Sequence, residues 1–348
     1  MCFMFQMYYG RVLSLFVLIF ISSIMDVSPK ILPLSNFLKE NPAFNQKIMD
    51  SHIKQSDLEN NYKKCAKSEK SKYIDNTAFL MEQKNLCKGR VSILIAIHSN
   101  NPNSHRRQMI RETFGSIRRI HDYTVRLAFF VGRSFSAQEQ VKLEKENEIN
   151  NDIIQRDFVE SYRNMTRKHI TVMEWVTRNC NHAEYLLKSD DDVFIDIYHI
   201  VREIVDGNVD KGFLCSSTKN AKPQRSQKGH LRKWYVTKEE YKDNKYPTYC
   251  EGYGYVVPVK FIPNVFVCSM LNDFFWIDDV HVGGVLPDML GIPRKDFSVG
   301  GGFFYMLPSH ASHKILDGIF YVAYYSEIVQ YQWRKMWKSV IEYSMSIY

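Results

Sequence analysis

From residue 90 onward, short apolar runs alternate with segments of helical periodicity. Residues 91–97 (VSILIAI) are apolar almost throughout, the pattern of a strand covered on both faces. Residues 106–114 then place apolar positions at helical spacing. A second buried strand is expected over 125–131, closed by Gly132. Residues 138–149 form a polar helical stretch, 152–158 a short strand or turn, and 164–179 a longer helix. The next strand, 185–188, runs straight into acid. Strands alternating with helices predict an α/β domain, a mostly parallel central sheet with helices on both faces. In such sheets ligands sit beyond the carboxyl ends of the strands, which gathers His98, Ser99, Gly132 and Asp190 to Asp192 around one crevice.

The N-terminal pattern is different. Residues 12–25 (VLSLFVLIFISSIM) carry no charge and follow Arg11. A membrane span needs about 20 apolar residues, and Tyr8 and Tyr9 lengthen the run. The expectation is a single-pass signal-anchor behind a short cytoplasmic tail, residues 1–11. A cleaved signal peptide competes with it, and both send the rest of the chain into the secretory pathway. Residues 26–88 turn rich in Lys, Asn, Ser, Asp and Glu, as expected of a lumenal stem. The alternative is that residues 37–44 and 73–86 dock onto the folded domain, 89–348.

Composition narrows the class. The chain has 348 residues, 45% hydrophobic and 24% charged, enough for a sizeable core. Its formal net charge is +8, but no basic helix or Arg-rich arm stands out, so no nucleic-acid partner is expected. An anionic nucleotide-sugar is compatible with that charge. Seven cysteines include no C-x-x-C pair, which argues against a zinc ribbon or a thioredoxin motif. Cys2 precedes the apolar run; the other six allow three disulfides in an oxidising compartment. Cys87 with Cys180 is one pairing, and Cys250 with Cys215 or Cys268 another.

The densest chemical signal is Lys188-Ser-Asp-Asp-Asp-Val-Phe194. Three adjacent carboxylates between apolar segments repel one another and call for a cation. Oxygen ligands suit Mn²⁺ or Mg²⁺. Side chains at i and i+2 of an extended segment point the same way, so Asp190 and Asp192 address one metal while Asp191 points elsewhere. A solvated acidic turn is the bland alternative.

Six ordered segments resemble one family, the β-1,3-glycosyltransferases related to β-1,3-galactosyltransferases. They are Arg107-Gln-Met-Ile-Arg-Glu-Thr-Phe-Gly115; Phe129-Phe-Val-Gly132; Glu146 with residues 152–158 and 162–168; Lys188-Ser-Asp-Asp-Asp-Val-Phe194; Tyr246-Pro-Thr-Tyr-Cys-Glu-Gly-Tyr-Gly-Tyr255; and Asp278-Asp-Val-His-Val-Gly283 with Leu290-Gly-Ile292. The resemblance implies a GT-A-type fold, a UDP-sugar donor, manganese, inversion at the anomeric carbon and a Golgi type II topology. Phe114 stands where the family usually has Trp, Tyr253 replaces a small residue, and Asp278 replaces Glu. The family also carries a late metal-binding His; here Val322 lies near that place, with His310 and His313 upstream.

An inverting transfer needs a base for the acceptor hydroxyl. Asp279 is the first choice and Asp278 the reserve. For the nucleotide-sugar the expected set is His98, Arg107, Arg111, Asp157, Lys168, Lys188, Asp190 and Asp191, with Asp192 and Asp190 on the metal. Arg107 and Arg111 serve either the diphosphate or a structural ion pair with Asp157 or Glu112. Trp234, Tyr246, Tyr249 and Tyr253, with Gly252 and Gly254, are expected to bind the acceptor glycan, since aromatic faces suit sugar rings and glycine admits close approach. Asn164-Met-Thr166 is an N-glycosylation sequon. The expected activity is transfer of a hexose or N-acetylhexosamine from a UDP-sugar to a glycan of a glycoprotein or glycolipid. The competing assignment is a binding scaffold of the same fold without catalysis.

Overall fold

The structure, a computed structural model, describes residues 33–51, 53–66, 74–296, 303–306, 320–323 and 327–347. The tail and anchor expected at 1–25, and also His310 and His313, lie outside these residues. Among the described residues no helix is long and apolar enough to cross a membrane.

In chain order the main elements are helices α1 (Leu34–Glu40), α2 (Pro42–Asp50) and α3 (Gln55–Cys65), then β1 (Phe79–Met81), β2 (Ile93–His98), α4 (Ser104–Glu112), β3 (Arg119–Ile120), β4 (Tyr123–Arg133), α5 (Ala137–Asn150), β5 (Ile153–Val159), α6 (Met165–Asn179), β6 (Tyr185–Asp190), β7 (Val193–Ile195), α7 (Ile197–Val205), β8 (Phe213–Thr218), β9 (Tyr249–Pro258), α8 (Ile262–Leu271), β10 (Arg294–Asp296), β11 (Phe303–Met306), β12 (Phe320–Ala323) and α9 (Glu327–Ile347). All six residues of β2 are buried, which is why its sequence is a continuous apolar run rather than an alternation.

The central sheet runs β1-β5-β4-β2-β6-β9-β8-β10, with β3 beside β4. The expectation of a mostly parallel sheet holds only for its middle. β5, β4, β2 and β6 are mutually parallel. However, β6 meets β9 antiparallel, β9 meets β8 antiparallel, and β1 meets β5 antiparallel. The sheet is mixed because β9 returns beside β8 through a long excursion, residues 219–248, instead of through a crossover helix. A Cys215–Cys250 disulfide fastens those two strands.

Two apolar layers cover the sheet. On one face β2 and β6 residues such as Leu94 and Leu186 join α6, α8 and the N-terminal helices. On the other, Ile95 and Leu187 join α4, α7 and α9. Phe114 is fully buried there, 5.8 Å from the ring of Phe194 and 6.1 Å from that of Trp333.

Within the segment expected as a stem, residues 33–66 pack onto the folded domain, as the alternative had it for residues 37–44. Phe37, Phe44, Ile48, Leu58 and Tyr62 are buried in the first layer. Lys47 of α2 donates to buried Glu174 of α6 at 2.8 Å. A Cys65–Cys268 disulfide ties α3 to α8, and Cys87–Cys180 closes the third bridge. The apolar residues of this polar-looking stretch are few, and most are spent on one docking face, Met49 being exposed.

Candidate active site

The parallel pairing of β2 with β6 sets His98 opposite Asp190. Antiparallel β9 sets Tyr255 opposite Lys188 and Gly254 opposite Ser189. The carboxyl ends of β2 and β6 therefore open on a cleft of about 290 Å³, lined among others by His98, Ser99, Tyr162, Lys168 and all three aspartates.

The three aspartates differ. Asp191 is buried and saturated: Ser99 Oγ donates at 2.7 Å, Asn103 Nδ2 at 2.9 Å and Arg106 Nη1 at 2.9 Å. It anchors the loop after β2 rather than facing a ligand. Asp190 accepts from Lys188 Nζ at 2.9 Å, and its side chain is 33% exposed. The Asp192 side chain is 44% exposed, with Arg106 Nη1 no closer than 3.8 Å. Burial, then the charges of Asp190 and Asp191, push the Asp192 carboxyl up to about 6. Burial also raises Asp190 against the pull of Lys188. Behind them His98 is 3% exposed with no hydrogen-bond partner on either ring nitrogen; burial first, then the nearby cations, holds it neutral. This is a donor set short of positive charge, and it fits a hard divalent cation. Among the described residues no three or more His, Cys, Asp or Glu side chains form a ready cage. Two carboxylates suit an ion that completes its shell with substrate phosphates and water.

The second acid group starts a helical turn, Asp278–Val280, that continues through a π-turn, His281–Val285. Asp278 is buried, with Oδ2 3.0 Å from His169 Nδ1 on α6. His169 Nε2 lies 2.7 Å from the Tyr255 hydroxyl. Burial, then Asp278 and Asp279, lift the Tyr255 phenol far above its ordinary range. It stays protonated and donates to Nε2, so Nδ1 carries the hydrogen given to Asp278. Burial opposes the Asp278 charge, but that hydrogen bond and Lys188 hold its pKa below the usual carboxylate value. Asp279 goes the other way: burial, then the Asp278 charge, raise it far above. A Cβ on Gly252 would lie 2.6 Å from Asp279 Oδ1, so the space Gly252 leaves is filled by this carboxylate rather than kept for a sugar.

Lys188 links the two groups. Its Nζ donates to Asp190 and, at 2.8 Å, to the Gly252 carbonyl. Burial works against its charge, but Asp190, Asp278 and Asp279 outweigh that and raise its pKa. Tyr162 feels both groups as well: burial, then Asp279, Asp278 and more weakly Asp190, raise its phenol.

Several expected site residues lie elsewhere. Arg107 is fully buried and braces the loop after β2: it donates to Ser99 Oγ, to the Asn100 and Asn101 carbonyls and to Glu146. Arg111 pairs with Asp152 and Glu146 at 2.8 Å, not with Asp157 or Glu112. Asp157 on β5 pairs with Arg133 at 3.1 Å and does not line the cleft. Lys168 does line it, bound to the Ser99 carbonyl at 2.6 Å and to Glu160 at 2.7 Å. Tyr253 packs on the face with Leu187 and Val193. Tyr246 is buried beside Phe275 and Trp276, with Tyr249 against them. Trp234 stands near the cleft wall, Lys233 Nζ lying 4.0 Å from its ring centroid and 5.9 Å from that of cleft-lining Tyr162. The sequon is also internal: Asn164 Nδ2 donates to the Val159 carbonyl at 2.7 Å and Thr166 is fully buried. Val322, which lies near the place of the family's late His, pairs with Val193 on β7, one residue from Asp192.

Sequence reasoning missed Arg106, Glu160 and His169. Arg106 directly precedes the Arg107 that drew attention. Nothing local marks His169, whose partner is 109 residues away.

A galactosyltransferase family model matches residues 105–298. Over 208 residues the chain is 28% identical to beta-1,3-galactosyltransferase 1 of Mus musculus and of Homo sapiens, covering 59% of this chain and 63% of each relative. Over 192 residues it is 31% identical to Homo sapiens beta-1,3-galactosyltransferase 5, covering 55% of this chain and 61% of the relative. The chain thus aligns with less than two thirds of the length of these curated relatives.

Proposed function

This chain belongs to the galactosyltransferase family, and from that premise we propose that it is an inverting β-1,3-glycosyltransferase of GT-A type. It moves a hexose or N-acetylhexosamine from a UDP-sugar to a glycan hydroxyl. One observation carries the reading: two acid groups of opposite character, one lining the cleft and one behind it, are joined through Lys188 and Gly252. Both fall within the stretch matched to the family.

Asp190 and Asp192 would hold a manganese or magnesium ion, with the donor phosphates completing its shell. Bound there, such an ion neutralises charge on the diphosphate. Lys168 and Arg106 add positive charge to the same wall. Asp279 takes the proton of the acceptor hydroxyl. The acceptor oxygen bonds to the anomeric carbon from the face opposite the diphosphate, the carbon–oxygen bond to phosphate breaks, and its electron pair leaves with UDP. The proton ends on an Asp279 oxygen. Asp278, fixed by His169, keeps its charge and so strengthens Asp279 as a base. The reading extends to a Golgi-lumenal, type II protein anchored through residues 12–25. Three disulfides support the oxidising compartment.

The test uses the purified full-length chain with Mn²⁺, UDP-galactose, UDP-N-acetylgalactosamine or UDP-N-acetylglucosamine, and a panel of glycan acceptors. Acceptor-dependent UDP release is expected with one donor. Binding without turnover across the panel favours the scaffold alternative. Asp192→Ala should weaken Mn²⁺-dependent UDP-sugar binding by about 10- to 100-fold; unchanged binding removes the metal assignment.

A further inference from the structure

Residues 219–245, between β8 and β9, hold nine Lys and Arg against three acidic residues, in a chain whose whole excess is eight. A run of surface charge is ordinarily a solvated face. Here the segment is built, and it borders the cleft. Arg225 is spent internally: its guanidinium donates to the carbonyls of Val236, Thr237, Tyr241 and Asp243 at 2.5–3.0 Å. Thr237 and Glu240 cap one another, the Thr237 amide donating at 2.8 Å and the Glu240 amide at 3.1 Å. Val236, Tyr241 and Tyr246 pack with Phe275 and Trp276 into a small core of their own.

On that frame Lys222, Lys228, His230 and Arg232 are exposed. Next to them Lys233 Nζ stands 4.0 Å from the Trp234 ring centroid and 5.9 Å from that of Tyr162. Tyr162 lines the cleft, and its neighbour Arg163 pairs with Glu240 of the segment at 2.5 Å. Lys233 thus stands at the cleft wall, and the other exposed cations belong to the same segment.

We propose that the acceptor is an acidic glycan, carrying sulfate or carboxylate groups, that lies along residues 222–233 with its reacting end beside Tyr162 and Trp234. The inference rests on the glycosyltransferase reading and narrows its acceptor. Opposite charge over several residues speeds encounter and adds affinity, and salt weakens both.

Binding is measured on the full-length chain by fluorescence anisotropy, without donor, so that it does not depend on turnover. The probes are a chondroitin sulfate hexasaccharide, neutral chitohexaose, an oligoglutamate peptide and phosphatidylserine vesicles. The sulfated glycan should bind on the order of tenfold tighter than the neutral one, the gap closing as salt rises from about 0.05 to about 0.5 M. The triple variant Lys222→Glu, Lys228→Glu, Arg232→Glu should lose that preference while binding UDP and chitohexaose as before. The milder Lys222→Gln, Lys228→Gln, Arg232→Gln set should move in the same direction and guards against misfolding. Equal binding of neutral and sulfated glycans overturns the proposal. So does a preference that survives both variants, or a peptide or vesicle bound as tightly as the sulfated glycan. Failure of the enzyme reading shows separately, as absent turnover with every acceptor.

Discussion

The strand-end aspartates and the helix-start aspartates are one residue type on either side of Lys188, but their surroundings differ in exposure and in partner. Asp190 and Asp192 keep 33% and 44% of their side chains in solvent. Burial, then the charges of their acidic neighbours, raise both carboxyls against the pull of Lys188 on Asp190 and of Arg106 on Asp192. Asp278 is sealed in and receives a fixed hydrogen bond from His169. That bond splits the pair, holding Asp278 low while its charge drives Asp279 up. An open group with unmet charge is suited to bind a cation. A closed pair with unequal proton affinities is suited to move a proton.

The sharpest break between the groups is at Asp279. Asp279→Asn keeps the shape beside Gly252 and removes the proton acceptor. Turnover should fall by about 10²- to 10⁴-fold while Mn²⁺-dependent UDP-sugar binding stays as in the parent, by calorimetry. Equal losses of binding and turnover would erase the division of labour between the two groups.

A smaller effect is expected at His169, which touches no substrate in the proposed mechanism and acts as a positioning residue. His169→Gln retains a donor toward Asp278 and should cost less than about tenfold in kcat. His169→Phe leaves a buried carboxylate and the Tyr255 hydroxyl without their partner, a loss of about 1–3 kcal/mol in stability with a larger fall in kcat than in donor affinity. If Gln and Phe behave alike, His169 fills space and does not hold Asp278.

What the sequence made legible follows from how local each cause is. The strands 93–98, 123–133 and 185–190 are buried on both faces, so their apolar runs stand out in isolation. The metal-suited triplet is legible for the same reason: three carboxylates at the end of such a run have few other uses. The antiparallel half was hidden because the pairing of β9 with β6 and β8 is decided by tertiary contact, not by the period of residues 249–258. The N-terminal helices were hidden by their polar majority; a few residues such as Phe37 and Phe44 carry the docking. Arg107 and Arg111 were legible as important and not as internal, because a buried arginine and a ligand-binding one read alike until Glu146 and Asp152 are placed beside them.

Asp196 supplies the control for reading raised carboxyls as functional. It lies outside the cleft lining and caps α7, its Oδ1 accepting from the amides of Tyr198 at 3.1 Å and His199 at 3.0 Å. Burial nevertheless lifts its pKa to about 6 against those bonds. Unfolded, an aspartate titrates near 3.9, so between about pH 4 and 6 the folded chain binds this proton more tightly than the unfolded one. Asp196 therefore costs stability as pH rises through that window, by up to about 3 kcal/mol once above it. Asn also caps helices and carries no charge to desolvate. Urea denaturation should find Asp196→Asn level with the parent near pH 4 and more stable at pH 7, with no change in UDP-sugar turnover at pH 7. A variant less stable at pH 7 would mean that the Asp196 charge is compensated, by Arg202 or by the helix end. Burial would then not be enough to raise a carboxyl in this fold, and the contrast between the two acid groups would rest on their neighbouring charges and hydrogen bonds.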